Sequence, residues 1–178
     1  MTTGLANYRN DSVSAGPLLG GIPAGCSRSE STAAKYSVFD VANWFLCCEA
    51  MTQKKLQKLC YYAQALYYAL KNQRLMNTEF QAWTQGPVSP VLYEWFKSFG
   101  VAKIKIKGTP KFSFSDEDAV FLCRVWETYG DKTGNALEAL SHHEQPWQKA
   151  RCGYGERERC TVAILPVAMR KFYKFIQN

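Results

Sequence analysis

Apolar residues at helical spacing dominate the chain from residue 36 onward. The clearest repeat runs through Met51–Lys71 at positions i, i+3, i+4 and i+7, and comprises Leu56, Leu59, Cys60, Ala63, Leu66, Tyr67 and Leu70. It predicts a central amphipathic helix with Thr52 as its N-cap. The same spacing predicts an earlier, shorter helix over about Ser37–Glu49.

Capping residues indicate where the later helices begin and end. Pro90 fits the first position of one helix, and Ser115, followed by three acidic residues, begins another that ends at Gly130. Two further helices are expected, over about 135–141 and from Pro166 onward.

The period of the apolar positions changes to two over residues 101–114. Ile104 and Ile106 alternate with lysines, and Phe112 and Phe114 alternate beyond a Gly-Thr-Pro turn signal. We therefore predict a small β-hairpin here, packed on the helices because two isolated strands are only marginally stable in water. The predicted fold class is mainly α, a compact helical domain with a small β-hairpin.

Composition divides the chain near residue 35. Residues 1–35 contain five Gly, two Pro, five Ser, three Thr and a single aromatic residue, and so offer little apolar surface to bury. We predict a flexible N-terminal tail over 1–35, whose deletion leaves folding intact, and one domain over 36–178. The apolar stretch 17–23 is expected to order only against a partner's surface.

Net charge points to acidic partners or nucleic acid, since 22 Lys and Arg oppose 15 Asp and Glu for a formal charge of +7. Lys54, Lys55 and Lys58 lie in the first turns of the central helix, where the helix dipole already presents positive charge. They form either a solvated face or a patch for an acidic partner. In the second case, reversing all three charges is expected to weaken binding without lowering the melting temperature.

No catalytic or metal-binding pattern emerges from the sequence, which has no phosphate-binding glycine loop and no nucleophile elbow. A zinc site built from His142, His143, Cys152 and Cys160 is disfavoured because neighbouring histidines point apart and the cysteines are too widely spaced. The cysteines on apolar helix stripes have poor reactivity as nucleophiles. We predict a protein that is not an enzyme and uses no metal or cofactor.

Seven cysteines without a C-x-x-C pair suit a reduced cytoplasmic protein. Four of them, Cys47, Cys48, Cys60 and Cys123, are in apolar surroundings, as expected for reduced thiols. No apolar run reaches the length of a membrane span, so no membrane association is expected. Aromatic residues and lysines would suit nucleic-acid binding, but most aromatics fall on core-spaced positions, and no nucleic-acid-binding signature is visible. Nucleic acid is therefore the less favoured partner.

Three segments in order resemble one known family: MTQKKLQKLCYY (51–62), AWTQGPVSPVLY (82–93) and LSHHEQPW (140–147). They resemble the Panacea domain, also called the SocA-like antitoxin domain and often labelled phage-associated GepA-like protein. Its pattern is roughly MTxxKLQKLxYY, AWxxGPVxPxxY and LTHxExPW. Ser141 replaces the usual threonine and keeps the hydroxyl. The resemblance covers about residues 36–176.

The resemblance implies a mostly helical antitoxin of a type II toxin–antitoxin pair, which neutralises a cognate protein toxin encoded nearby by direct contact. Toxins paired with this family are diverse, so the family does not name the target. Two alternatives stay open, a basic nucleic-acid-binding protein and a phage accessory protein without a paired toxin.

The motif residues themselves allow two interpretations. Trp83, Gly86 and Pro87 either shape a tight turn or contact a partner. His142 and Trp147 either form a buried anchor around Pro146, with His142 donating to a backbone carbonyl or to Glu144, or contact the toxin. The candidate partner-binding residues are Lys54, Lys55, Lys58, Trp83, Gly86, Pro87, His142 and Trp147.

Overall fold

Seven α-helices form most of what the computed structural model describes, residues 33–176 without 107 and 109. The helices are α1 (Val38–Cys48), α2 (Gln53–Lys71), α3 (Pro90–Phe96), α4 (Asp116–Tyr129), α5 (Gly134–His142), α6 (Gln145–Ala150) and α7 (Pro166–Ile176). The short strands are β1 (Met51–Thr52), β2 (Gln81–Trp83), β3 (Gly86–Val88) and β4 (Lys103–Ile104). The predicted class, mainly α with a small antiparallel element, is confirmed.

Helix α2 lies at the centre and packs against α1, α4, α5 and α7. As predicted, Thr52 is its N-cap, with the hydroxyl oxygen accepting a hydrogen bond from the Lys55 amide. Asn72 caps the C-terminal end of the helix, and its left-handed backbone (φ 54°) suits an asparagine.

The burial of α2 is broader than the predicted stripe. Tyr61 and Tyr62, outside the stripe, are fully buried, whereas Leu70, inside it, is 54% exposed. Neighbouring helices cover α2 on several sides, so its lysines and glutamines must also find partners inside the fold.

The hairpin lies elsewhere than predicted. Strands β2 and β3 pair antiparallel, with Trp83 opposite Gly86, inside the segment for which only a tight turn was predicted. In the 101–114 region, β4 pairs instead with β1 at the start of α2, while Phe112 and Phe114 lie outside any strand. Alternating apolar residues identify extended backbone but not its pairing partner, and here that partner is distant in sequence.

A buried carboxylate fastens the start of the described chain to α4. The Asp118 side chain is fully buried and accepts hydrogen bonds from Lys35 Nζ (2.6 Å), Tyr36 OH (2.7 Å), Ser115 Oγ (2.8 Å) and Tyr67 OH (3.0 Å). Burial alone would raise the pKa of Asp118, but these bonds, led by that from Lys35, outweigh it and lower the pKa to about 2.

Lys35, the last residue of the predicted tail, thus makes a structural contact with the domain. The expectation that deleting residues 1–35 leaves folding intact overlooked this ion pair. Residues 1–32, including the apolar stretch 17–23, lie outside the described part of the chain.

Most of the cysteines expected in apolar surroundings are on the surface. Cys47, Cys48 and Cys123 are exposed, whereas Cys60 is buried. Among the described residues, no helix is both long and apolar enough to cross a membrane.

We predict that Lys35→Met lowers the free energy of unfolding at neutral pH by about 2–4 kcal/mol, because Asp118 keeps its charge inside the fold without its cationic partner. The difference from wild type should shrink as pH falls from about 4 towards 2, where the carboxylate protonates in both proteins. Urea unfolding at several pH values measures it. The exposed pair Lys97–Glu94 provides a control, since Lys97→Met should leave the stability close to that of wild type at every pH.

Candidate functional site

Gly86 is the point where the three sequence motifs touch. A Cβ atom at this position would lie 2.7 Å from Ser141 Oγ and 2.8 Å from Lys58 Cε, and the backbone φ of +91° already favours glycine. Ser141 belongs to the third motif and Lys58 to the first. Glycine therefore allows the β2–β3 hairpin to lie directly against α2 and α5.

Lys58 is buried under this hairpin, with 1% of its surface exposed. Its ammonium group donates to the Pro87 carbonyl at 3.0 Å and has no carboxylate within salt-bridge distance among the described residues. Burial is the main cause that lowers the pKa of Lys58 to about 7, with Glu138 acting to raise it and Lys54 to lower it.

Lys54 and Lys55 point to different parts of the fold. Lys54 Nζ lies 2.7 Å from Glu138 Oε2 on α5 and is partly exposed. Lys55 Nζ donates to Glu49 Oε2 (2.8 Å) and to the Gly130 carbonyl (2.7 Å), on another side of α2.

The three lysines therefore do not form one solvated face or one shared patch. Reversing all three charges would bury carboxylates at positions 55 and 58, so we now expect that triple variant to unfold. Of the three, Lys54 is the one whose charge can be reversed without burying a carboxylate.

Two aromatic motif residues meet beside the hairpin. Trp147 Nε1 donates to the Trp83 carbonyl at 3.0 Å, and the His142 ring stacks on the Trp147 ring at 4.0 Å and 17°. The two rings do pack together, as the anchor interpretation expects, but both side chains are only partly buried.

The His142 side chain makes neither of the predicted hydrogen bonds, to a backbone carbonyl or to Glu144, within the described part of the chain. Its Nε2 is buried without a hydrogen-bond partner among the described residues, and burial lowers the pKa of the imidazole. The Glu144 oxygen Oε2 instead accepts from Tyr173 OH (2.5 Å) and Tyr62 OH (3.3 Å).

This Glu144 cluster is a buried polar feature that sequence reasoning missed. Burial raises the pKa of Glu144 to about 7, with the two tyrosine bonds opposing the rise. The signal was present in the motifs, because Tyr62 ends the first one and Glu144 lies in the third. The carboxyl group ties α2, α6 and α7 together from inside.

A cleft of about 670 Å³ opens above these contacts, here called the motif cleft. Its walls include Trp83 and Tyr93, whose rings pack edge to face at 4.9 Å, and Lys54, Lys58 and Lys97. The other predicted residues do not line it: Gly86 and Pro87 contact Lys58, His142 and Trp147 stack on each other, and Lys55 is on another side of α2. Such a cleft can hold a short segment of another molecule between aromatic walls.

Comparison with known proteins identifies the family. Residues 56–148 match the family described as Antitoxin SocA-like, Panacea domain. The chain is also 30% identical over 132 residues to Antitoxin SocA of Caulobacter vibrioides (strain NA1000 / CB15N), which covers 67% of this chain and 70% of that protein. The chain belongs to the SocA-like Panacea family. No solved structure matches this Panacea protein significantly.

The Panacea match encloses most of the motif cleft. It begins at Leu56, so it includes Lys58, the Trp83 and Gly86 hairpin, and Trp147. The resemblance drawn from the three motifs is thereby confirmed. The contacts that join those motifs in space lie within the part of the chain that is shared with the Panacea family.

We predict that Gly86→Ala destabilises this Panacea domain by about 2–4 kcal/mol, because the methyl group adds a steric conflict with buried atoms to the cost of a positive φ. Gly153→Ala is a matched control, since Gly153 has a φ of +90° and nothing within 4 Å of its Cβ position. It should cost only about 1 kcal/mol. If urea unfolding gave the two variants equal losses of stability, the close contact of Gly86 with Ser141 and Lys58 would not contribute to the effect.

We predict that Glu144→Gln flattens the pH dependence of stability between about pH 5 and 8. In the folded protein the pKa of Glu144 is raised, so its favourable contribution is complete below the ordinary value and is lost as pH rises through about 7. Wild type should lose stability over this range relative to the variant, as measured by urea unfolding. The exposed Glu156→Gln variant should follow wild type, and parallel curves for wild type and Glu144→Gln would contradict the assignment.

Proposed function

We propose that this Panacea protein is the antitoxin of a type II toxin–antitoxin pair and neutralises a protein toxin by binding it directly at the motif cleft. The observation that carries the proposal is the convergence of three distant motifs at Gly86, in contact with Lys58, which lines an open cleft. The buried contacts are explained by packing of the fold alone. The partly exposed aromatic and basic side chains that line the cleft are not.

The chemistry of the motif cleft suits a protein partner. Trp83 and Tyr93 present large, rigid and partly exposed rings, which are the side chains that dominate protein–protein binding energies. The adjacent lysines add a charge that favours acidic surfaces and accelerates encounter. In this proposal the chain has no turnover of its own.

Membership of an antitoxin family suggests where the toxin is encoded and where the complex forms. We propose a toxin encoded next to this chain and a complex formed in the cytoplasm, with residues 36–178 as the antitoxin domain and 1–35 as its tail. The relative carries the name Antitoxin SocA, which supports the general role.

The decisive experiment expresses each neighbouring gene alone and together with this chain. One neighbour should arrest growth alone, and coexpression should restore growth and copurify the two proteins. If no neighbouring product is toxic or copurifies, the antitoxin role is wrong, and a phage accessory protein without a paired toxin becomes the better account.

We predict that Trp83→Ala weakens toxin binding at least about tenfold, the effect expected for an aromatic anchor in an interface. Trp95→Ala is the matched control, because Trp95 is 68% exposed and does not line the cleft. Calorimetric titration measures both, with thermal unfolding as a check on folding. Full affinity in the Trp83 variant would show that the toxin does not bind at the motif cleft.

A further inference from the structure

We propose that the motif cleft receives a side-chain carboxylate of the toxin, which pairs with the Lys58 ammonium group while neighbouring apolar residues of the toxin pack on Trp83 and Tyr93. This inference rests on the proposed function, because it specifies the chemistry of the toxin segment that binds there. Three independent features of the cleft support it: its unbalanced charge, its helix ends and its size.

The charge of the cleft lining is unbalanced. Among the described residues, it contains three lysines, Lys54, Lys58 and Lys97, and no Asp or Glu. Lys54 pairs with Glu138 and Lys97 with Glu94, both outside the lining.

Lys58 is the lining lysine without a carboxylate partner in the described chain, although its ammonium has three N–H donors and uses one on Pro87. A buried ammonium with unused donors is costly. An incoming carboxylate would offset that cost.

Two helices begin at the cleft. The first residues of α2, Gln53 and Lys54, line the cleft, as do Gly134 and Asn135 at the start of α5. Each helix N-terminus adds a partial positive charge, which favours an anion over a neutral group. The lysine and the two dipoles therefore act in the same direction.

The volume of the cleft favours a peptide segment. About 670 Å³ exceeds what a single carboxyl group fills and lies in the range of sites that enclose several chemical groups. Trp83 and Tyr93 form an aromatic wall for apolar neighbours of the acidic residue. We therefore infer an acidic residue flanked by apolar ones within a loop or helix of the toxin.

The protonation of Lys58 gives this contact a pH dependence. The groups acting on Lys58 are Lys54 on its own helix and Glu138 and His142 on α5. With a pKa of about 7, Lys58 is increasingly neutral above pH 7 in the free protein. A bound carboxylate favours the ammonium form, so affinity should fall as pH rises above 7.

The test uses the purified full chain and two libraries of capped heptapeptides, acetylated and amidated so that no terminal carboxylate is present. The central residue is Glu in one library and Gln in the other, and the flanking residues are randomised over apolar and aromatic types. Mass spectrometry measures which peptides the protein retains. We expect the Glu library to be retained at least about tenfold better than the Gln library.

Two lysine variants on α2 decide whether Lys58 is responsible. Lys58→Met should remove the preference for Glu, and it should fold because an apolar chain of similar length replaces an unpaired buried charge. Lys71→Met, at the opposite end of α2 and outside the cleft, should keep the preference. Equal retention of Glu and Gln peptides, or a preference that persists in Lys58→Met, would overturn the proposal.

A measurement on the unmutated protein covers the case in which Lys58→Met does not fold. Lysine-selective carbon-13 NMR follows the Lys58 pKa with and without the best Glu peptide. Binding should raise it by at least about one unit, and an unchanged value would overturn the proposal. A labelled single-stranded DNA that displaces the peptide would also overturn it and make the cleft a nucleic-acid groove.

These outcomes are separate from the test of the antitoxin role. The peptide experiment needs no toxin, whereas the growth experiment does not depend on how the toxin is recognised. A toxin that is neutralised equally well by wild type and Lys58→Met would leave the antitoxin role intact and refute the carboxylate contact alone.

Discussion

The approach of Gly86 to Lys58 and Ser141 is the contact on which the rest of the site depends. A hairpin that lies this close to the buried Lys58 and Ser141 side chains favours a residue without a Cβ atom, and the φ of +91° favours glycine for an independent reason. Once the hairpin is seated, the Pro87 carbonyl meets the buried Lys58 ammonium, and the Trp83 carbonyl meets the Trp147 indole. The walls of the motif cleft follow from these positions.

Burial of α2 on most of its surface explains why its polar residues matter so much. Gln57 accepts from the Ser89 amide and donates to the Ser89 carbonyl, while Gln64 accepts from the Met76 amide. Each bond satisfies a buried backbone group outside the helices and strands, although the Ser89 carbonyl also accepts from the Tyr93 amide. The central helix therefore orders the surrounding loops as well as the apolar core, and it places the cleft at its N-terminal end.

Local signals predicted the helices well and the sheet poorly. Caps at Thr52 and Ser115 and the first-turn proline Pro90 were found because they act on backbone groups a few residues away. The partner of β4 was not found, because strand pairing is a contact between distant segments. For the same reason, the lysines of α2 looked like one surface although Lys55 and Lys58 are buried.

By itself, the sequence determined the mainly helical class, most helix boundaries and the three motifs that identify the Panacea family, since each depends on residue order over short distances. Only the tertiary structure decided that these motifs meet, that Lys58 lies inside with the Pro87 carbonyl as its one acceptor in the described chain, and that Glu144 binds Tyr62 and Tyr173 instead of His142. Burial and pairing depend on how separate segments pack, and pKa values depend on burial and pairing. No local pattern of residues carries that information.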